Sequence, residues 1–161
     1  SWLFLSILIC ISLIDIESFW IPQGLLNFGF FSGIFSLTFT DFITDDFIDF
    51  YSLAKSLGAA LIAFLIFESL RYFAKYIFKK EALGKGDSKL VAMISLWLGP
   101  LGTLFAVGIS YIFAAIFCLF GISFNLIKYR QVIPFAPFLS LGGLFTWFYG
   151  NEFIIKMILK I

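Results

Sequence analysis

Long apolar runs, separated by short polar junctions, fill most of this sequence. Of its 161 residues, 61% are hydrophobic and only 13% are charged, and the mean hydropathy is +1.05. A soluble domain of this length cannot bury so much apolar surface, so the composition indicates a polytopic membrane protein. The expected fold class is an all-α transmembrane helical bundle, because backbone groups in lipid must be hydrogen-bonded within their own segment.

The sequence divides into six apolar segments, which predict about six transmembrane helices in one membrane-embedded domain, residues 1–161. The fourth segment is short, and "GPLG" at 99–102 predicts a turn between it and the fifth. The first segment ends near Ile14, and the others cover about 21–39, 53–78, 88–98, 104–127 and 137 onward.

The first apolar segment is shorter than a membrane span. About 14 residues precede Asp15, whereas a spanning helix needs roughly 20. The segment has neither a basic start nor a small-residue cleavage site, so a signal peptide is not indicated. We therefore expect the sequence to begin inside a helix of a protein that extends further toward its N-terminus.

Lysine and arginine collect on one side of the predicted bundle. Six of them lie between residues 71 and 89, and Lys128 and Arg130 follow the fifth segment. The positive-inside rule places this side in the cytoplasm, together with "DIESFW" at 15–20. The acidic junction after the second segment and "GPLG" are then outside, and Lys156 and Lys160, also outside, depart from the rule.

Several kinds of site are excluded by residues that the sequence lacks. It contains no histidine, so no imidazole is available for catalysis or metal binding. Cys10 and Cys118 are isolated in apolar runs, which indicates neither a zinc site nor a disulfide framework. A net charge of +1 gives no basic footprint for nucleic acid. We predict no metal, no cofactor and no nucleic-acid partner.

The stretch "EALGKGDSKL" at 81–90 places an aspartate between two glycines and an apolar run. In the simplest interpretation Asp87 is the N-cap of the fourth helix, and Gly84 and Gly86 form a turn. The pattern is not a phosphate-binding loop, because it lacks the first Walker glycine and follows no strand. In a catalytic interpretation, the glycines allow an extended substrate backbone to approach Asp87.

Asp15 and Asp87 are both expected at helix–loop junctions on the cytoplasmic side. Asp15 alone could be an interfacial carboxylate in water, as Glu17 is expected to be, but a pair facing the bundle interior is a functional candidate. Two carboxyl groups a few ångströms apart share a proton, so that one activates water and the other polarises a carbonyl. Because no histidine and no well-placed Ser–Lys or Cys partner is present, aspartyl proteolysis is the catalytic chemistry that these residues support.

Two further features have competing interpretations. "VIPFAPF" at 132–138 contains two prolines that prevent a regular helix start, so it is either a loop entering the sixth helix or a substrate-facing lip beside the aspartates. Glu68 either pairs with Arg71, three residues on, or acts near the aspartates.

Three stretches together resemble a known family. "SLIDIESFWIPQGL", "ALGKGDSKL" and "IPFAPFLSLGG" occur in the order seen in type IV prepilin peptidases, bacterial leader peptidases of the GxGD intramembrane aspartyl protease class. The resemblance extends from Asp15 to about Gly143 and implies that Asp15 and Asp87 are the catalytic pair. Supporting or substrate-facing residues are expected at Gly84, Gly86, Lys89 and Pro134.

The resemblance implies an aspartic endopeptidase that removes the leader from type IV prepilins and pseudopilins. The cut is expected after a glycine, just before the substrate's apolar helix, at the cytoplasmic face of the bacterial inner membrane. The family often has an acidic residue after Ile–Pro, where this sequence has Gln23. Many members also methylate the new N-terminus through an N-terminal part with CxxC pairs, so methyltransferase activity is not assigned to the residues shown.

Other classes remain open on the sequence alone. A small transporter or channel subunit would use the aspartates as ion sites and would need a polar path through the bilayer, whereas the acidic residues collect at the two faces. A structural membrane scaffold and an archaeal preflagellin-type peptidase are further alternatives. A presenilin-like or signal-peptide-peptidase-like enzyme would need a Pro–Ala–Leu motif, which is absent.

Overall fold

The structure is a computed structural model that describes residues 2–43, 50–79, 84–124 and 133–159. Within these ranges the chain forms five helices and no strand, which confirms the all-α fold class. The helices are α1 (Trp2–Ser18), α2 (Gln23–Ile43), α3 (Phe50–Phe78), α4 (Lys85–Ser123) and α5 (Ala136–Leu159).

The six predicted segments correspond to five helices because the fourth and fifth both belong to α4. This helix breaks at Gly99, whose φ of 70° and ψ of −179° lie outside the helical region. Glycine adopts a positive φ without a steric penalty, and Pro100 directly after it cannot donate the next backbone hydrogen bond. The break lies in the "GPLG" turn that the sequence predicts.

The two arms of α4, residues 85–98 and 100–123, run in opposite directions beside α5. In the first arm, Trp97 contacts Trp147, 6.2 Å between ring centroids, and Ile94 lies beside Gly143. In the second arm, Phe117 contacts Phe138, while Ala106 and Ser110 lie beside Gly142. The first arm is therefore parallel to α5 and the second antiparallel, so Gly99 folds α4 into a hairpin.

The first arm of α4 lies at the centre of the bundle. Every residue from Leu90 to Leu96 is buried. Phe4, Leu8 and Ile11 of α1 belong to the same core, as does Leu139 of α5. On the α2 side, the indole N–H of Trp97 donates to the carbonyl oxygen of Gly29 at 3.0 Å.

Two helical segments, Leu53–Ile77 and Lys85–Ser123, are long and apolar enough to cross a membrane. Their mean hydropathies are 1.7 and 2.3. Large apolar side chains are also exposed on the outside of the bundle, among them Phe31 and Phe35 of α2 and Leu61 of α3. An apolar outer surface is expected of a bundle surrounded by lipid.

Several predicted boundaries differ from those of the structure. Helix α1 continues past Ile14 to Ser18, so Asp15 lies in its last turn and not in a loop junction. The second helix was expected from about residue 21, but α2 begins at Gln23. Pro22 precedes it, and its carbonyl oxygen accepts the N–H of Leu26 at 3.3 Å. The acidic junction at 44–49 and the basic one at 125–132 lie outside the described residues.

Candidate active site

Asp15 is held in place by the end of its own helix and the start of another. Its carboxyl group is buried, with the residue only 6% exposed. The Oδ2 atom accepts a hydrogen bond from the backbone N–H of Ala136, the first residue of α5, at 3.3 Å. The first N–H groups of a helix have no partner inside it, so α5 has a donor available for this carboxyl group.

The backbone ends α1 just beyond Asp15. Phe19 adopts a positive φ of 52°, and its N–H donates to the carbonyl oxygen of Asp15 at 3.0 Å. Helices commonly end at a residue in the left-handed backbone conformation, and that residue is usually a glycine. The chain then turns through Trp20 and Ile21 toward α2.

Asp87 is held by the start of α4. It was predicted as the N-cap, but Gly84 is the capping residue, and Asp87 lies three residues into the first turn. The Asp87 Oδ2 atom reaches back and accepts the N–H of Gly84 at 3.2 Å. This interaction is one half of a capping box, so Asp87 stabilises the helix start without being the N-cap. The residue is 5% exposed.

Asp15 and Asp87 line one cavity of about 560 Å³ and are close enough to interact electrostatically. Each carboxyl group has one oxygen bound to a backbone N–H, and its Oδ1 receives no hydrogen bond from any residue that the structure describes. The structure brings all six predicted site residues to this cavity, namely Asp15, Gly84, Gly86, Asp87, Lys89 and Pro134.

The two glycines before Asp87 are constrained by neighbouring atoms of the protein itself. A Cβ atom added at Gly86 would lie 2.7 Å from Cδ1 of Ile21, and one added at Gly84 would lie 3.3 Å from Oδ2 of Asp87. Side chains at these positions would push α4 away from Ile21 or displace the Asp87 carboxyl group. The two glycines therefore allow the start of α4 to pack closely against Ile21 and leave room for the Asp87 carboxyl group.

Residues 133–138 of the segment "VIPFAPF" both border the cavity and begin α5. Ile133, Pro134 and Phe135 line the cavity. The Phe135 carbonyl oxygen accepts the N–H groups of Phe138 and Leu139, both at 3.1 Å, so the same segment starts α5. Its position beside the aspartates is thus determined by the helix start that also supplies the donor for Asp15.

Glu68 of α3 pairs with Arg71, which confirms that sequence prediction. The Arg71 Nε–H donates to Oε2 at 3.2 Å, and a second guanidinium nitrogen contacts Oε1. Oε2 also accepts the hydroxyl of Ser88 at 3.1 Å. Ser88 follows Asp87 directly, so the pair links α3 to the start of α4. This link could not be predicted from the sequence, because Glu68 and Ser88 are far apart in the chain.

Lys89 marks one edge of the cavity. Its ammonium group donates to Oε1 of Gln23, and Nε2 of Gln23 donates to Oδ1 of Asn27 at 3.1 Å. The three polar side chains form a hydrogen-bonded row between α4 and α2. In the part of the chain that the structure describes, no three acidic, cysteine or histidine residues are grouped so as to hold a metal ion.

The sequence profile of the type IV leader peptidase family matches residues 2–119. The "Type 4 prepilin-like proteins leader peptide-processing enzyme" of Escherichia coli O78:H11 (strain H10407) is 33% identical over 148 residues, which cover 86% of this chain and 47% of that enzyme. The "Prepilin leader peptidase/N-methyltransferase" enzymes of Dichelobacter nodosus and Legionella pneumophila are each 30% identical, over 90% and 92% of this chain and 46% and 49% of theirs. The chain thus spans about half the length of these relatives, and no solved structure matches it.

Proposed function

Because the chain belongs to the type IV leader peptidase family, we propose that it is an intramembrane aspartic endopeptidase that removes the leader from type IV prepilin-like substrates. The observation that carries this proposal is the meeting of two buried carboxyl groups, Asp15 and Asp87, from distant parts of the sequence in one cavity. The cut is proposed after a glycine. The proposal concerns the peptidase alone, and no residue described here is assigned to methyl transfer.

In the proposed mechanism, Asp15 and Asp87 share one proton, because two ionised carboxylates in a buried cavity repel each other. The ionised carboxylate takes a proton from water, whose oxygen attacks the scissile carbonyl carbon. The other carboxyl group donates its proton to the carbonyl oxygen. Collapse of the tetrahedral intermediate breaks the C–N bond, and a proton passes to the leaving amine. The N–H groups of Ala136 and Gly84 hold the two carboxyl groups in position.

The hairpin of α4 supports a membrane topology with six spans. A straight helix of 39 residues would be about 58 Å long, far more than the roughly 30 Å of a hydrocarbon core. Two arms folded at Gly99 instead give two crossings. Arg71, Lys79 and Lys89 lie toward the end of the bundle that holds the cavity, which supports a cytoplasmic active site of a multi-pass protein in the bacterial inner membrane.

The test is a cleavage assay in membranes with a co-expressed prepilin-like substrate, followed by gel shift and N-terminal sequencing of the product. Asp15→Asn and Asp87→Asn are each expected to lower the cleavage rate by about 10²–10⁴-fold, because each removes a proton-transfer group. Glu17→Gln is the matched control, since Glu17 is an exposed carboxylate on the same helix end as Asp15. Every variant is compared at equal membrane levels.

Full cleavage by either asparagine variant would refute the carboxyl pair, and a product that does not start after a glycine would refute the cleavage site. The alternative of a transporter or channel needs the polar cavity to continue through the bundle. Beyond Lys89, the buried residues from Leu90 to Ile94 are all apolar. None of these five residues lines the cavity, so along the first arm of α4 the cavity stops before Ser95, the next buried polar residue.

A further inference from the structure

A second groove, of about 430 Å³, opens beside the catalytic cavity. Its floor is the first arm of α4 at Lys89 and Ala92, and α2 forms one wall with Leu26 and Phe30. The other wall is α3, which contributes Leu57, Ala60, Leu61 and Phe64. Apart from its polar edge, the groove is apolar.

The groove and the catalytic cavity are continuous. Gln23, Leu26 and Lys89 line both of them. The hydrogen-bonded row of Lys89, Gln23 and Asn27 lies at this junction, and the apolar walls extend away from it. A chain passing from the cavity into the groove would therefore meet amide and ammonium groups first and an apolar surface next.

The size of the groove suits a short piece of helix. The α2 wall extends over eight residues, from Gln23 to Phe30, and the α3 wall over eight, from Leu57 to Phe64, each about 10 Å or two helical turns. Small residues let helix backbones approach closely in membranes. Ala60 and Ala92, both lining the groove, provide such positions on one wall and on the floor.

We infer that this groove binds the first two turns of the apolar substrate segment that follows the scissile bond. The inference rests on the proposed function. A substrate that is cut by a site within an apolar bundle must be extended at the cut yet keep its adjoining membrane segment in apolar surroundings. The groove offers such surroundings directly beside the cavity. The amide oxygens of Gln23 and Asn27 can accept the N–H groups that are left without partners where the substrate helix starts, and Lys89 can donate to carbonyl oxygens of the extended segment before it.

The first experiment is photo-crosslinking in the inactive Asp87→Asn protein with a co-expressed prepilin-like substrate. The photoreactive amino acid p-benzoylphenylalanine is placed at Leu61, which lines the groove and is 63% exposed. The control position is Ile66, an aliphatic residue of the same helix that is 52% exposed and does not line the groove. We expect Leu61 to crosslink to the apolar segment of the substrate and Ile66 to give at least about tenfold less of that product.

The second experiment fills the groove in the active protein. Leu61→Trp is expected to raise KM for the full substrate about tenfold or more and to leave kcat nearly unchanged, because it removes binding energy and not a catalytic group. Ile66→Trp is expected to leave both constants unchanged. A peptide substrate that ends shortly after the scissile bond should be cut equally well by wild type and Leu61→Trp.

The two experiments separate the groove from the activity. If the wild type cuts the substrate but Leu61 crosslinks no more than Ile66, the groove inference is wrong and the peptidase stands. If Leu61 crosslinks only to lipid or to a second copy of this chain, the inference is equally wrong. If the wild type cuts none of several prepilin-like substrates, the proposed function fails, and crosslinking in the Asp87→Asn protein still shows whether an apolar segment binds in the groove.

Discussion

Gly86 is the residue whose lack of a side chain most directly affects the cavity. It lies one position before Asp87, and its α-carbon faces the side chain of Ile21, which also lines the cavity. A change at this position moves the start of α4 relative to the chain that links α1 and α2. Asp87 lies at the start of α4 and Asp15 in the last turn of α1, just before this link, so the separation of the two aspartates depends on this contact.

We predict that Gly86→Ala lowers kcat/KM for leader cleavage by at least about tenfold, because displacing a catalytic group by about 1 Å can cost that much or more. The added methyl group would lie 2.7 Å from Cδ1 and 2.9 Å from both Cγ1 and Cβ of Ile21. Cβ is fixed to the backbone, so the Ile21 side chain cannot relieve the contact by rotating its outer atoms alone. The measurement is cleavage kinetics at matched protein levels.

Gly24→Ala is the control for this prediction, because no atom lies within 4 Å of a Cβ at Gly24. It should retain wild-type kinetics. Wild-type activity in Gly86→Ala would show that the contact does not position Asp87.

The positions of the two aspartates show what a sequence can reveal at the scale of single residues. Asp15 and Asp87 were found because each carries an ionisable group at the edge of an apolar run. The backbone N–H of Ala136, which donates to Asp15, cannot be recognised in the sequence, because every residue except proline has a backbone N–H. The hydrogen bond from Ser88 to Glu68 was missed for a related reason: both residues are polar groups near a predicted interface, and nothing local pairs them.

At Gly142, α5 packs very closely against the second arm of α4. A Cβ added at Gly142 would lie 2.1 Å from the backbone oxygen of Ala106 and 2.2 Å from Oγ of Ser110. A backbone oxygen cannot move aside by rotating a side chain, so the two helices would have to separate. Small residues at such crossings are common where helices pack in membranes.

We predict that Gly142→Ala destabilises the protein by about 1–3 kcal/mol, the usual cost of overpacking a close contact. The measurement is the thermal unfolding of the purified protein in detergent, with membrane levels as a second readout. Gly108→Ala is the matched control, since Gly108 lies in α4 beside open space. Alanine there favours the helix by about 0.5–1 kcal/mol, so this variant should be as stable as the wild type or more so. Equal stability of Gly142→Ala and Gly108→Ala would contradict the packing argument.

Apolar runs predicted helices well but predicted their ends less well. The reversal at Gly99 was predictable because glycine and proline interrupt the run at that point. The end of α1 was not, since hydropathy marks where the apolar residues stop, whereas the helix continues for as long as its hydrogen bonds do. The backbone N–H of Phe19, for example, still donates to the carbonyl oxygen of Asp15 at 3.0 Å.

The bundle as a whole has two chemically different ends. The cavity, with Asp87 and Lys89, lies at one end of the first arm, and an aromatic cluster lies at the other. In that cluster Phe4 contacts both Trp97 and Trp147, with centroid distances of 5.2 and 5.4 Å. From Asp87 to Trp97 the helix rises only about 15 Å, half the thickness of a hydrocarbon core of roughly 30 Å. If Trp97 lies near one interface, the aspartates lie well below the opposite surface of the membrane.

The orientation of these two ends yields the prediction for the whole molecule. In a variant with Cys10 and Cys118 replaced by serine, a single cysteine is introduced by Lys79→Cys or by Leu101→Cys. Lys79 follows α3 on the side of the cavity, and Leu101 is exposed at the reversal of α4. With a cytoplasmic active site, a membrane-impermeant maleimide should label Leu101→Cys in spheroplasts and label Lys79→Cys only after the membrane is opened.

The opposite pattern would place the cavity outside, and labelling of both sites in sealed spheroplasts would contradict the hairpin as a pair of membrane crossings. The cavity can meet a substrate leader in the cytoplasm only with the first pattern, so this labelling tests a condition that the proposed peptidase cannot do without.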